Sequence, residues 1–287
     1  MPGSLIQWFP GHMAKTRRLI KENLQKVDLV IEILDARIPY SSKNPEIDRL
    51  TEGKPRLTLL AKASLADPAV CKLWEKDYES KGGKAIFCDF VTGYNVKNIV
   101  PAIREVLKEK LSRYSEKGMI GRALTAMVVG IPNVGKSTFI NTLCGEKKAK
   151  AENRPGVTVA KQWLRTSYGV DLLDMPGVLW PKFEDQTVGE SLAFTGAIKD
   201  EILNTDELAI ALCGRLRTLY PNELCLRYKI SKDEFSEDLT NFELLCLIGK
   251  KRGCLMAGGE INVDRVSNIV LDEFRAAKIG KLSLERP

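Results

Sequence analysis

The chain has 287 residues, of which 44% are hydrophobic and 28% are charged, and its formal net charge is +7. These values are ordinary for a globular chain of one or two domains and argue against extensive disorder. No apolar run approaches the ~20 residues that span a bilayer, and the N-terminus lacks the apolar stretch of a signal peptide. Seven cysteines without C-x-x-C spacing argue against a disulfide framework or a zinc site, so we expect reduced thiols in a cytoplasmic protein with no membrane partner.

The basic excess lies in the first two thirds of the chain. Residues 191–287 contain 14 Lys and Arg against 15 Asp and Glu, which leaves 30 basic and 22 acidic residues in 1–190. Such an excess favours a polyanionic partner, although nucleotide binding also uses positive charge.

Helices and apolar strands alternate in the first part of the chain. A basic helix is expected from about Met13 to Val27, and strands are expected at 28–36, 56–60 and 85–90. Helices are expected after each strand, ending near Glu52, over 69–81 and over 96–111. Near-continuous apolar strands in this rhythm are typical of a parallel sheet covered by helices.

The same rhythm continues and then stops. A strand at 125–130, a helix from about Gly135 and a strand at 170–177 are followed only by helical periodicity, at 191–197, 206–217, 241–248 and 264–277. We therefore predict an N-terminal basic arm (1–27), an α/β domain (28–180) and a smaller all-helical domain (181–287).

The strongest motif is G-x-x-x-x-G-K-S at residues 130–137. Its glycines let backbone N–H groups curl around phosphates at a helix N-terminus. Lys136 is expected to reach the β- and γ-phosphates, and the Ser137 hydroxyl to bind Mg²⁺. The predicted nucleotide contacts of this loop are Asn133, Val134, Gly135, Lys136, Ser137 and Thr138.

A second motif, D-x-P-G, closes the strand at 170–177. Asp174 is expected to hold a Mg²⁺-bound water, and the Gly177 N–H to contact the γ-phosphate. Between the two motifs, the loop R-P-G-V-T offers the Thr158 hydroxyl as a further metal ligand. These residues together indicate a P-loop nucleotide hydrolase.

The order of the strands points to a permuted domain. A P-loop sheet needs about five or six strands, and after Gly177 the sequence supplies essentially none. The missing half is therefore expected upstream, which places a base-reading loop after the strand 56–60. Ala61, Lys62 and Ser64 occupy that loop, as A-K-A-S.

This order, with W-F-P-G-H-M-A-K at the start and L-W-P-K-F-E-D, T-G-A-I-K-D and K-R-G-C-L-M further on, resembles the circularly permuted GTPases, in particular the YlqF/RbgA family. The resemblance spans the whole chain. It implies a circularly permuted P-loop GTPase domain with a mostly parallel sheet, followed by a smaller all-helical domain. It also implies GTP and GDP as ligands, Mg²⁺, and assembly of the large (50S) ribosomal subunit through rRNA contacts.

The base loop departs from the family pattern N-K-x-D, because Ala61 replaces Asn and Ser64 replaces Asp. An Asp accepts two N–H bonds from guanine, whereas a serine hydroxyl carries no charge. The change of Ala61→Asn with Ser64→Asp is therefore expected to tighten guanine binding. The alternative function is a nucleotide-sensing RNA-binding assembly protein with weak turnover or relaxed base specificity. A small-molecule kinase is disfavoured because no Arg-rich lid is evident.

Val178 stands where many GTPases place a water-orienting Gln. The resemblance implies that His12, the sole histidine, takes that role, and that Asn133 helps to bind K⁺. The candidate RNA contacts are the basic residues of the first helix and of K-K-R: Lys15, Arg17, Arg18, Lys21, Lys250, Lys251 and Arg252. The partners expected are the large-subunit precursor and its rRNA, with the free protein a monomer.

Overall fold

The computed structural model describes residues 13–119, 121–145, 162–180, 183, 185–236 and 238–287. His12 and Thr158 therefore lie outside the described residues. In the described part, no helix is both long and apolar enough to cross a membrane.

A six-stranded sheet forms the centre of the N-terminal part, in the order β3-β2-β1-β4-β6-β5. Its strands are β1 (Leu29–Asp35), β2 (Arg56–Ala61), β3 (Ala85–Phe87), β4 (Leu124–Gly130), β5 (Gln162–Arg165) and β6 (Val170–Asp174). All neighbouring pairs are parallel except β5 with β6, which is antiparallel. The predicted mostly parallel sheet is confirmed.

Helices surround this sheet and make up the C-terminal part. They are α1 (Met13–Leu24), α2 (Pro45–Leu50), α3 (Pro68–Ser80), α4 (Ile99–Val106), α5 (Lys108–Glu116), α6 (Lys136–Cys144), α7 (Gln186–Phe194), α8 (Thr205–Leu219), α9 (Pro221–Tyr228), α10 (Asn241–Lys251) and α11 (Val263–Arg275). Short 3₁₀ turns lie at Ala63–Leu65, Val96–Asn98 and Asp200–Ile202.

The helices begin where side chains satisfy their first free N–H groups. Asp67 accepts from the backbone of Ala69 at the start of α3, where Pro68 needs no partner for its nitrogen. At α10, Thr240 and Glu243 bond to each other's backbone N–H groups in a capping box. These local signals explain why the periodic stretches begin where they do.

Alternate residues of β1 face two different layers, as expected of a strand buried on both sides. Leu29, Ile31 and Ile33 belong to the main core with α4, α6 and helices of the C-terminal part. Val30 lies in a second cluster, with Ile20 of α1. The predicted basic arm therefore contributes a helix whose apolar side covers the sheet.

The end of the C-terminal part lies against the loops that follow β1 and β2. The Leu282 N–H donates to the Leu65 carbonyl at 3.1 Å, and the Leu284 N–H donates to the Arg37 carbonyl at 2.9 Å. Both acceptors follow strands β2 and β1. The tail thus lies beside the loops at the carboxyl ends of the strands, where ligands bind in α/β sheets.

Several element bounds differ from expectation. Helix α1 ends at Leu24, and the helix expected over 96–111 is divided at Leu107, whose φ of −100° and ψ of 15° are not helical. Strand β3 stops at Phe87 because Asp89 enters a turn, where its N–H donates to the Tyr94 carbonyl. Strand β5 and helix α9 were not predicted.

Candidate functional site

The phosphate loop joins β4 to α6 through backbone conformations that demand small residues. Gly130 has φ of +153°, and a Cβ there would lie 2.5 Å from the Ile33 carbonyl oxygen on β1. Gly135 has φ of +107° immediately before the first residue of α6. The loop therefore delivers the open N-terminus of a helix to the end of the sheet, an arrangement suited to anions.

Lys136 lies folded against this loop. Its Nζ donates to the carbonyl oxygens of Ile131 at 2.8 Å and Gly130 at 3.2 Å, and the residue is only 6% exposed. Burial lowers the pKa of Lys136 to about 8, and the positive charge of Lys62 acts in the same direction, while Asp174 opposes it. A cation held here by two carbonyls is poorly compensated, so an incoming phosphate would stabilise it.

Asp174 ends β6 beside this lysine and is 3% exposed. Burial raises the pKa of Asp174 to about 6, although the charge of Lys136 lowers it. Its Oδ1 is buried without a hydrogen-bond partner among the described residues. Such an orphaned acceptor is costly, and a hydrated Mg²⁺ would satisfy it, so the residues fit the metal that the motif implies.

Gly177 packs directly on the phosphate loop. A Cβ at this position would lie 2.9 Å from Lys136 Nζ and 3.0 Å from the Pro132 backbone. A larger residue would require Lys136 Nζ and the Pro132 backbone to shift, so this close approach favours glycine. The structure thus brings Lys136, Asp174 and Gly177 together, as the two motifs predicted.

The loop that is the candidate base loop, residues 61–64, lies at the carboxyl end of β2. Ala61 is fully buried at the end of the strand, and Lys62 has a left-handed backbone with φ of +58°. Lys62 Nζ pairs with Asp35 at 3.0 Å, and Arg37 binds the same carboxylate through its guanidinium. Burial alone would raise the pKa of Asp35, but the charges of Arg37 and Lys62 hold it far below its usual value. The ammonium group of Lys62 is thereby anchored on Asp35.

A cavity of about 740 Å³ lies between the base loop and the phosphate loop. This volume is within the range of small-molecule sites. Six predicted residues line it: Lys62, Ser64, Asn133, Val134, Gly135 and Thr138. The cavity therefore connects a candidate base site to a candidate phosphate site.

Two contributors to the cavity were missed by sequence reasoning. The C-terminal part supplies one wall, through Thr195, Gly196 and Arg275, and Asn133 Nδ2 donates to the Gly196 carbonyl at 2.8 Å. Asp89, after β3, lines the wall beside Ser64. The T-G-A-I-K-D stretch could have suggested the first contributor, but no local pattern pointed to Asp89.

The burial of Lys136 predicts a pH-dependent stability. Its pKa in the folded protein is about 8, below the ~10.4 of an unfolded lysine, so between these values the unfolded chain binds more protons. The contribution of Lys136 to the free energy of unfolding of the nucleotide-free protein should therefore rise with pH in this window, by at most about 1.4 kcal/mol per pH unit. Buried thiols such as Cys88 and Cys213, whose pKa burial raises, act in the opposite direction, so the test is the difference in slope between wild type and a variant without this lysine. Lys136→Met should lack that contribution.

Urea unfolding at about pH 7.5 and 9.5 measures this difference, at pH values where Asp174 is ionised throughout. The exposed Lys108 of α5 offers a control in Lys108→Met, which should keep the wild-type slope. Equal slopes in wild type and Lys136→Met would contradict the burial argument.

Comparisons of the sequence and of the structure with known proteins agree with one another. A family model described as "50S ribosome-binding GTPase" matches residues 125–213. Ribosome biogenesis GTPase A of Bacillus licheniformis is 48% identical over 283 residues, which cover 99% of each chain. The GDP-bound structure of TM YlqF aligns with a TM-score of 0.66 at 26% identity, covering 94% of this chain and 99% of that one. GNP-bound YlqF from T. maritima aligns with a TM-score of 0.65, covering 95% and 98%.

Proposed function

Since this chain belongs to the ribosome biogenesis GTPase A family and is a GTPase of ribosome assembly, we propose that it acts on the precursor of the large (50S) ribosomal subunit through contacts with rRNA. The site is proposed to bind GTP and GDP in the cytoplasm. Full-length relatedness favours this function over the alternative of a nucleotide-sensing RNA-binding protein with weak turnover.

The nucleotide is proposed to lie along the cavity, with its phosphates at the N-terminus of α6 and its base beside Lys62 and Ser64. Ser137, Asp174 and Thr158 would hold Mg²⁺, which neutralises charge on the transferred phosphoryl group. Asn133 is the candidate for K⁺, and its amide already ties the phosphate loop to Gly196.

The exposed basic residues of α1 carry the RNA part of the proposal. Lys15, Arg18 and Lys21 are exposed at three-residue intervals, which keeps them on one side of the helix. Arg17 pairs with Glu46 of α2, and Arg18 pairs with Glu22 one turn further along α1 at 2.6 Å. The buried side of α1 is fixed on the sheet through Ile20, so these charges project from a rigid element.

The candidate RNA contacts in the C-terminal part are less free to bind phosphates than those of α1. Lys251 pairs with Glu234 at 2.7 Å, and Arg252 pairs with the buried Glu273. Lys250 is exposed and forms no ion pair with the residues that the structure describes. We therefore place the main RNA contact on α1 and a smaller one at Lys250.

Charge reversal on α1 tests this placement. Lys15→Glu with Lys21→Glu should weaken binding to large-subunit precursor particles. The slope of log affinity against log salt should become shallower by about one for each phosphate that α1 no longer neutralises. Lys72→Glu with Lys76→Glu on α3 gives the same change in net charge at two exposed lysines. Particle binding is measured by sedimentation at several KCl concentrations.

The proposal requires the α3 pair to bind like wild type. If both pairs weaken binding equally, net charge and not a located surface is responsible, and the α1 assignment fails.

A further inference from the structure

The structure gives Ser64 a partner that its isolated position in the sequence does not suggest. Strands β2 and β3 are parallel neighbours, so the residues that follow them meet at one edge of the sheet. The Ala63 N–H donates to the Cys88 carbonyl at 3.1 Å, and the Ser64 hydroxyl donates to Asp89 Oδ2. The hydroxyl is thus coupled to a carboxylate from the next strand.

Asp89 is held in a single orientation by its own turn. Its Oδ1 accepts from the backbone N–H groups of Val91 and Thr92, both at 2.9 Å, and the residue is 4% exposed. Burial by itself would raise the pKa of Asp89, but the hydrogen bonds from Ser64, Thr92 and Val91 outweigh it and lower that pKa. The carboxylate is therefore ionised at neutral pH.

The pair faces the nucleotide cavity. Ser64 and Asp89 both line it, and Lys62 and Gly135 line it as well. The Ser64 hydroxyl donates its only hydrogen to Asp89. Toward a ligand it can therefore act only as an acceptor, through its lone pairs. Asp89 accepts from Ser64 on Oδ2 and from the Val91 and Thr92 backbone on Oδ1, and the Thr92 side chain also stabilises its charge, so that charge acts on the cavity mainly through the Ser64 hydroxyl.

On this geometry, and resting on the proposed guanine-nucleotide function, we propose that Ser64 and Asp89 form one anionic acceptor that reads guanine. The Watson–Crick edge of guanine presents two adjacent N–H donors, whereas that of adenine presents an acceptor in the middle. An acceptor pair with a negative charge therefore suits guanine and disfavours adenine. The carboxylate that position 64 lacks is supplied one strand away.

This pairing changes what the sequence alone predicts for the base loop. Ser64→Asp would place a second carboxylate within bonding distance of Asp89, and two such groups cannot both ionise without cost. Ser64→Asp alone should therefore fail to tighten guanine binding. Adding Asp89→Asn should relieve the conflict, since the amide oxygen can still accept from Val91 and Thr92 while the amide nitrogen donates to the new carboxylate.

Calorimetric titration of GDP and of ADP into the full chain tests the proposal. Asp89→Asn and Ser64→Ala should each lower GDP affinity, Asp89→Asn by about tenfold or more, since charged hydrogen bonds are the stronger class. ADP affinity should stay the same or rise. Ser64→Asp with Asp89→Asn should bind GDP more tightly than Ser64→Asp alone.

The outcomes separate this inference from the proposed function. If Asp89→Asn and Ser64→Ala leave the ratio of GDP to ADP affinity unchanged, while wild type still prefers GDP, Asp89 only supports its turn and the inference fails. If wild type shows no preference for GDP, the guanine function itself is wrong. Thermal unfolding of each variant shows whether it is folded, and Ser64→Ala leaves the turn of Asp89 intact should Asp89→Asn unfold.

Discussion

Lys136→Ala should lower kcat/KM for GTP by about 10²-fold or more, because removing one preorganised electrostatic donor costs about 10²–10³ in turnover. Lys136 is the buried cation of the phosphate loop. Its Nζ donates hydrogen bonds to the carbonyl oxygens of Gly130 and Ile131 in that loop. When a phosphate binds there, Lys136 would exchange the two neutral carbonyls for a charged partner. The measurement is steady-state phosphate release from GTP.

The variant should remain folded. The lysine is buried at a cost, as its lowered pKa indicates, so its removal should not lower the midpoint of thermal unfolding substantially. Lys108→Ala, at an exposed lysine of α5, should retain wild-type turnover. A folded Lys136→Ala with kcat/KM within about threefold of wild type, far short of the ~10²-fold above, would overturn the phosphate-site assignment.

The second large effect is expected from His12→Ala. Val178 follows Gly177 where a water-orienting side chain would stand, and it is buried with both backbone groups engaged. Its N–H donates to the Gly130 carbonyl at 3.3 Å, and its carbonyl accepts from Asn44 Nδ2 at 3.1 Å. Another group must orient the attacking water, and the N-terminal histidine is the candidate that the family resemblance supplies.

A positioned general acid or base contributes about 10²-fold or more, so turnover stimulated by large ribosomal subunits should fall by that factor in His12→Ala. Affinity for a non-hydrolysable GTP analogue should change little, because the interaction is made in the transition state. Gln7→Ala, in the same N-terminal segment, is the control. Equal losses of turnover and affinity would assign His12 a structural role instead.

Local patterns predicted the parts of this fold that depend on local chemistry. The phosphate loop lies between β4 and α6 as its motif predicted, and the strands expected upstream, β1, β2 and β3, join the same sheet. Strand β5 was missed because it has four residues at the sheet edge, three of them exposed, so its sequence shows no long apolar run. Helix α9 was missed because it has eight residues, of which only Leu224 and Tyr228 are buried, so its sequence shows little apolar periodicity.

The contacts that complete the candidate site could not be predicted locally. Ser64 and Asp89 are 25 positions apart, and Asn133 and Gly196 are 63 apart. Each pair is created by the packing of separate elements, which hydrophobic periodicity does not encode. The resemblance named both T-G-A-I-K-D and the altered base loop, but only the structure shows what each one contacts.

The proposed function requires that this chain hydrolyse GTP in preference to ATP and that large ribosomal subunits stimulate this hydrolysis. The most direct measurement is phosphate release from GTP and from ATP by the full chain, alone and with purified large-subunit particles, with Lys136→Ala as the blank. We expect GTP turnover to exceed ATP turnover and to rise when particles are added. Equal turnover of the two nucleotides, or GTP turnover that particles leave unchanged, would contradict the proposed function.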